Sequence, residues 1–147
     1  MSQVEDTNPR AAIEVMHHGG SPPDLRSGEP LPVKQFELVG RYGADYGSRA
    51  GDDLEMYERD HIIHPAVWPA LANNVFSTDL VRGAWIHTRS KIRHHGLAHE
   101  GDVVEVRAVV VDRFERNGER AVVDLHIELD GHPIVTIEHE AIIDLGH

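Results

Sequence analysis

The chain has 147 residues, no cysteine and a formal net charge of -11 at neutral pH. That length suits one domain with a core that needs no staples, and the missing thiols exclude disulfides and thiolate metal sites. The acidity argues against a nucleic-acid partner, which needs a basic surface, but leaves room for an anionic ligand held by a few local arginines.

The start, Met1 to Asp6, has neither a basic flank nor an apolar run, and no stretch approaches the roughly 18 apolar residues of a membrane span. A soluble, cytoplasmic protein with no membrane partner is expected. Residues 1–32 hold five of the eight prolines together with Gly19, Gly20 and Gly28. Neither a long helix nor a central strand fits there, so a Pro/Gly-rich arm is expected ahead of a single domain over 33–147. Ala11 to Met16 is a short apolar patch suited to one turn or an edge pairing. From Val33 to Val39, Phe36 and Leu38 alternate as in a short strand or a helix entry. Arg41 to Ala50 predicts a first helix, with Tyr42 and Tyr46 four apart, Asp45 and Arg49 as a supporting pair, and Gly51 placed to end it. Asp52 to Ile63 reads as a polar connection.

His64 to Thr78 is long and apolar enough to be a buried helix. Ala66, Val67, Ala70, Leu71, Ala72, Val75 and Phe76 leave Asn73 and Asn74 as its polar positions, and a helix apolar nearly all round must be wrapped. Pro65 suits a first helical position. Pro69, a turn later, predicts a kink and an irregular first turn with His64 at its mouth. Buried amides are costly unless hydrogen-bonded, so one asparagine is expected to bond a strand backbone and the other to meet ligand or water.

After a turn over Asp79 to Gly83, everything reads as strands. Ala84 to His95 is the first, and Gly96 to Asp102 links it to Val103–Arg113, where Val104, Val106, Ala108 and Val110 share one face. In the next, Ala121, Val123, Leu125, Ile127 and Leu129 oppose Asp124, His126, Glu128 and Asp130. Asn117-Gly118 and Asp130-Gly131 are hairpin turns by residue type, since positive φ suits Asn, Asp and Gly. Pro133 to Leu145 is the last strand. Such a meander has one wet and one dry face, and the apolar helix covers the dry one. The class is α+β. The twelve histidines carry no metal spacing: His61 and His64 lie three apart, and His94 and His95, near His99, point opposite ways along a strand. No metal and no cofactor is expected.

Three segments, Trp85 to Asp102, Val111 to Gly118 and His139 to Ile143, resemble the strand half of MaoC-type acyl dehydratases and hydratases, and the likeness runs over residues 42–145. It implies the hotdog fold, one central helix wrapped by a curved antiparallel sheet. It also implies an acyl thioester of coenzyme A or acyl carrier protein as ligand, and pairing as a homodimer or with a related hotdog chain. The family's hydratase motif, Gly-Asp-x-Asn-Pro-x-His, corresponds to Gly51 through Tyr57. Asp52 matches the acid, while Tyr57 stands where the catalytic histidine should be, and a neutral tyrosine titrates near 10 and is a poor base. The resemblance then points to His64, because the family places His-Gly at the start of this helix. The family's glycine gives an N–H to the thioester carbonyl; Pro65 has none, so Ala66 or Val67 would supply it. Asp60 is available to orient His64 but reads better as an exposed loop carboxylate.

His64 with Trp68-Pro69-Ala70-Leu71 also resembles the His...Met-Pro-Gly-Val pattern of hydroxyacyl carrier-protein dehydratases, but where their helix carries a glutamate the corresponding region here is Asn73, Asn74 and Val75, so that carboxylate is missing. Period-two spacing puts Trp85, His87, Arg89, Lys91 and Arg93 on one side of their strand, a stripe suited to the phosphates or pantetheine arm of a thioester, or simply a solvated face. The expectation is therefore a hydratase or dehydratase with Asp52 and His64 as the acid/base pair, and Tyr57, Ala66, Val67, Trp68, Asn73, Trp85, His87 and Arg89 on the substrate. Two alternatives stay open: a non-catalytic acyl-binding subunit of a dehydratase complex, and an acyl-CoA thioesterase.

Overall fold

The computed structural model describes residues 27–39, 42, 44–49, 51, 54–81 and 83–144, so the expectations for residues 1–26, Asp52 and Leu145 lie outside the described residues. In chain order the elements are β1 (Lys34–Glu37), α1 (Ala44–Arg49), α2 (Glu55–Arg59), α3 (Val67–Asp79), β2 (Ile86–His94), β3 (Val103–Glu115), β4 (Glu119–Leu129) and β5 (His132–Asp144). The strands pair antiparallel in one sheet, ordered β1-β3-β4-β5-β2.

Both hairpins form where turn chemistry requires them. Asn117 and Gly118 take φ of 54° and 115°, and Asp130 and Gly131 take 52° and 79°, conformations that β-branched residues resist. The alternation then fixes which face is dry: Val104, Val106 and Val110 of β3, Val123, Leu125 and Ile127 of β4, and Val135 and Ile137 of β5 are buried. Register shifts interrupt β2 against β5, β3 against β4, and β4 against β5. Such bulges bend and twist a sheet, which lets this one curl around a helix.

The wrapped helix is α3. Val67, Trp68, Leu71, Ala72, Val75 and Phe76 are buried, as are its polar Asn74 and Ser77. Each fully buried Leu or Phe side chain contributes about 1.5–3 kcal/mol, so α3 and the dry face dominate the core. Thr78 Oγ1 donates to Asn74 O at 2.6 Å, and the amides of Leu80 and Val81 both reach Phe76 O, which closes the helix. Lys34 of β1 pairs with Asp79 at 3.2 Å and ties that end to the sheet.

The prolines act differently from the expected kink. Pro65 lies in a turn, the helix begins at Val67, and Pro69 is its third residue. The first four helical amides have no intrahelical partner, so a missing N–H there removes no bond. The polar connection contains α2, which turns Tyr57 into the interior. The sheet also starts earlier than the Pro/Gly-rich composition suggests: the amides of Gly28 and Leu31 bond Val110 O and Ala108 O of β3.

Candidate functional site

The start of α3 is pinned from three sides. Residues 61–63 run antiparallel to 98–100, with Ile63 N donating to Ala98 O at 2.9 Å and Glu100 N to His61 O at 2.8 Å, while His64 N donates to Tyr42 O at 3.0 Å. This holds His64 at 8% exposure, its ring 5.0 Å from that of Tyr57 and 5.7 Å from that of Tyr46. The Ala66 amide donates to His64 Nδ1 at 3.1 Å, and the Val67 amide to His64 O at 3.0 Å. The two amides read as thioester donors are thus engaged inside the turn. His64 thus closes the turn ahead of the helix by accepting from the amide of its N-cap residue, Ala66, and with Nδ1 accepting, the neutral ring carries its hydrogen on Nε2. Asp60 is exposed and grips Arg59 through both carboxylate oxygens, which holds its carboxyl below the usual range.

Beside this turn lies a cavity of about 210 Å³. Met56 and Tyr57 of α2, Ile63 and Pro65 before the helix, Trp68 of α3, and His94, Leu97 and Ala98 at the far end of β2 form its wall. His64 is not among the residues lining it, while Tyr57, whose ring lies 5.0 Å from that of His64, is. Sequence placed Tyr57 and Trp68 on the ligand, and both line the cavity. A larger, open hollow at the β3–β4 hairpin is crossed by an ion pair between Arg113 and Glu119, which leaves no comparable apolar wall.

The stripe expected along β2 is split. The register shifts between His87 and Arg89, and one extra residue reverses which side all later positions face. His87, Ser90, Ile92 and His94 pair with Ala141, His139, Ile137 and Val135, on the helix side; Arg89 and Lys91 pair with Glu140 and Glu138, on the outside. Arg89 meets Glu138 and Glu140 at 3.4 and 3.8 Å. Thr88, at the bulge, donates to the Glu140 carboxylate at 2.7 Å and Arg120 at 3.0 Å, and together they hold that carboxyl below its ordinary range. Arg89 and Arg120 on this outer face are therefore each paired with carboxylates.

The inner side of β2 carries a hydrogen-bonded relay. Asn73 of α3 places Oδ1 2.8 Å from His139 Nε2; His139 Nδ1 lies 2.7 Å from Ser90 Oγ, and Ser90 Oγ lies 2.8 Å from His87 Nε2. The His87 and His139 rings stack at 4.2 Å, Phe76 meets His139 edge-on at 5.1 Å, and Trp85 stacks on Phe76 at 5.8 Å. Asn73 thus bonds a strand side chain rather than the strand backbone. Burial pushes His139 down to about 3, with His87 adding to the fall, so its ring is neutral. Ser90 and His139 were not singled out by sequence. The signal was present, since the dry-face rhythm Val135, Ile137, His139, Ala141, Ile143 contains one polar member.

No protein-family model and no curated protein sequence matches the chain. Solved structures do match. The R-hydratase PhaJ1 from Pseudomonas aeruginosa, unliganded, aligns with a TM-score of 0.69 at 17% identity over 84% of each chain. A hot-dog-like protein from Thermanaerovibrio acidaminovorans aligns at 0.62 and 17% identity, covering 80% of this chain and 82% of that one. A mutant of the fluoroacetyl-CoA-specific thioesterase FlK, in complex with fluoroacetate and CoA, aligns at 0.63 and 16% identity over 80% of this chain and 94% of its own. The chain has the hotdog fold. Among the described residues, no helix is long and apolar enough to cross a membrane.

Proposed function

We propose that this hotdog chain takes acyl thioesters of coenzyme A or acyl carrier protein and adds water to an enoyl thioester, or removes it from the 3-hydroxyacyl form. The observation that carries the reading is the apolar cavity under Tyr57, Trp68 and Leu97, at the entry of the wrapped helix. At about 30 Å³ per water-sized group, and a methylene is of similar size, it has room for roughly seven carbons of an acyl chain. The fold neighbours support the ligand class, one being an R-hydratase and another a CoA thioesterase with CoA bound. The sequence likeness around Asp52 favours hydration over thioester hydrolysis. His64, with Nδ1 held by the Ala66 amide, presents a donor rather than a base. β2 lies at the sheet edge, where a second hotdog chain would extend the sheet.

The test is incubation of the full chain with trans-2-enoyl-CoA esters of increasing length, following loss of the conjugated double bond and release of free thiol. Hydration without thiol release is the expected result. Thiol release would replace hydration with a thioesterase, and neither change would leave an acyl-binding subunit.

A further inference from the structure

The cavity at the helix entry is graded in depth. Met56, His94 and Leu97 stand at its rim, Leu97 at 62% exposure, whereas Tyr57, Ile63 and Trp68 are buried and form its floor. Trp68 is 3% exposed, yet its Nε1–H makes no hydrogen bond among the described residues, and its neighbours do not seal the nitrogen either. An indole N–H only donates, and a buried one ordinarily finds an acceptor, because giving up water without a replacement is costly. The rest of this helix follows that rule: Ser77 and Thr78 donate to Asn74 O, and Asn73 accepts from His139. His94 also carries a ring N–H, but at the exposed rim any bond it makes replaces one to water, with little net gain. The donor that can discriminate is the one on the floor.

We infer that the Trp68 N–H opens into the cavity and donates to an oxygen carried by the acyl tail, so that the preferred substrate is a medium-chain acyl thioester with a carbonyl or similar acceptor beyond the middle of its chain. The inference rests on the acyl-thioester reading and deepens it. The thioester carbonyl itself fits this donor poorly. At about 210 Å³ the cavity cannot admit the carrier, which stays outside the rim and holds the thioester there, while the floor lies up to roughly seven carbons further in. A plain alkyl tail that expels water from the floor leaves the indole N–H unpaired. A tail with an oxygen at the right depth replaces the lost water, and a site with a buried donor favours a ligand that satisfies it over one that cannot.

The experiment measures Kd by calorimetry for the full chain with octanoyl-CoA and with its 4-, 5-, 6- and 7-oxo derivatives. Without a donor on the floor, affinity falls as the ketone moves inward from the rim, because more of its hydration is lost. With Trp68 donating, one of the deeper isomers should bind about tenfold tighter than the 4-oxo form. Trp68→Phe should reverse that order, since lost packing weakens all the isomers alike whereas the lost N–H weakens the deep one alone. A second measurement needs no change at Trp68. Trp85→Phe leaves one indole N–H signal in the nitrogen-15-labelled protein, and its proton should move downfield with the tightest ketone relative to octanoyl-CoA. A wild-type order that falls from rim to floor, a wild-type order that survives Trp68→Phe, or an indole proton that is the same with ketone and octanoyl-CoA overturns the assignment and leaves the acyl cavity intact. Failure of octanoyl-CoA and of every ketone to bind removes the acyl-thioester reading, and this inference with it.

Discussion

Ser90 of β2 faces His139 of β5 across the ladder, and its Oγ lies 2.7 Å from the imidazole Nδ1. A fully buried histidine that accepts a hydroxyl proton on one nitrogen and donates to an amide oxygen with the other has no room for a second proton. The same pairing that orders β2 against β5 therefore makes the fold sensitive to acid.

The sign follows from the pKa values. His139 sits at about 3 in the folded chain, against 6.5 ordinarily. The unfolded chain binds a proton below about 6.5 that the folded one refuses until about 3, so the contribution is complete above 6.5 and is lost as pH falls across that window. The slope is at most about 1.4 kcal/mol per pH unit. Urea midpoints from about pH 7 to about pH 5, above the range where Glu140 titrates, should show it. In His139→Gln the slope should flatten. An unchanged slope in that variant would assign the acid sensitivity to other groups.

Asn73→Leu leaves the buried His139 Nε2–H without its acceptor, which costs about 1–3 kcal/mol. His139→Leu alone is similarly harmful, because Asn73 Oδ1 is then orphaned. The double variant should be more stable than the sum of the two losses, since neither polar group is left behind. Denaturant unfolding of the four proteins closes the cycle, and simple additivity would mean that the 2.8 Å contact carries no coupling.

The wrapped helix and the meander were legible because each rests on periodicity. Val104-Val106-Ala108 and Val123-Leu125-Ile127 alternate without a break, and Asn117-Gly118 and Asp130-Gly131 mark the turns. The β2 face was not legible, because nothing in Trp85-Ile86-His87-Thr88-Arg89 announces an extra residue; the bulge arises from pairing with β5, a partner some fifty residues away. The helix start was half legible. Pro65 and Pro69 signalled an irregular entry, but His64 as the acceptor of the Ala66 amide depends on contacts with Tyr42 and Tyr57 that only the fold supplies. Trp68 and Tyr57 were named through resemblance, and both line the cavity.

His64→Ala separates a structural role in the turn from a chemical one. It removes the acceptor of the Ala66 amide and the ring packed against Tyr46 and Tyr57, for a loss of about 1–3 kcal/mol from the turn hydrogen bond and aromatic contact together. Octanoyl-CoA affinity should change little, because Ile63, Pro65 and Tyr57, not His64, face the cavity. Thermal unfolding and binding by calorimetry check the two halves. A variant that melts like wild type would show that this turn bond is dispensable.

Trp68 lines the cavity and Trp85 does not, and the chain has two tryptophans. Trp85→Phe therefore leaves a single fluorescent reporter at the acyl wall. Each buried methylene contributes about 0.8 kcal/mol, or up to about a fourfold gain in affinity. Titration with saturated acyl-CoA esters should show Kd falling with chain length until roughly seven carbons fill the cavity, then levelling. Leu97 is exposed at the rim, so Leu97→Asp should change stability by no more than about 0.5 kcal/mol while flattening the length dependence, because the added carboxylate must be desolvated by the entering chain. Affinity independent of chain length in the Trp85→Phe protein would show that the tail lies elsewhere, whatever the activity.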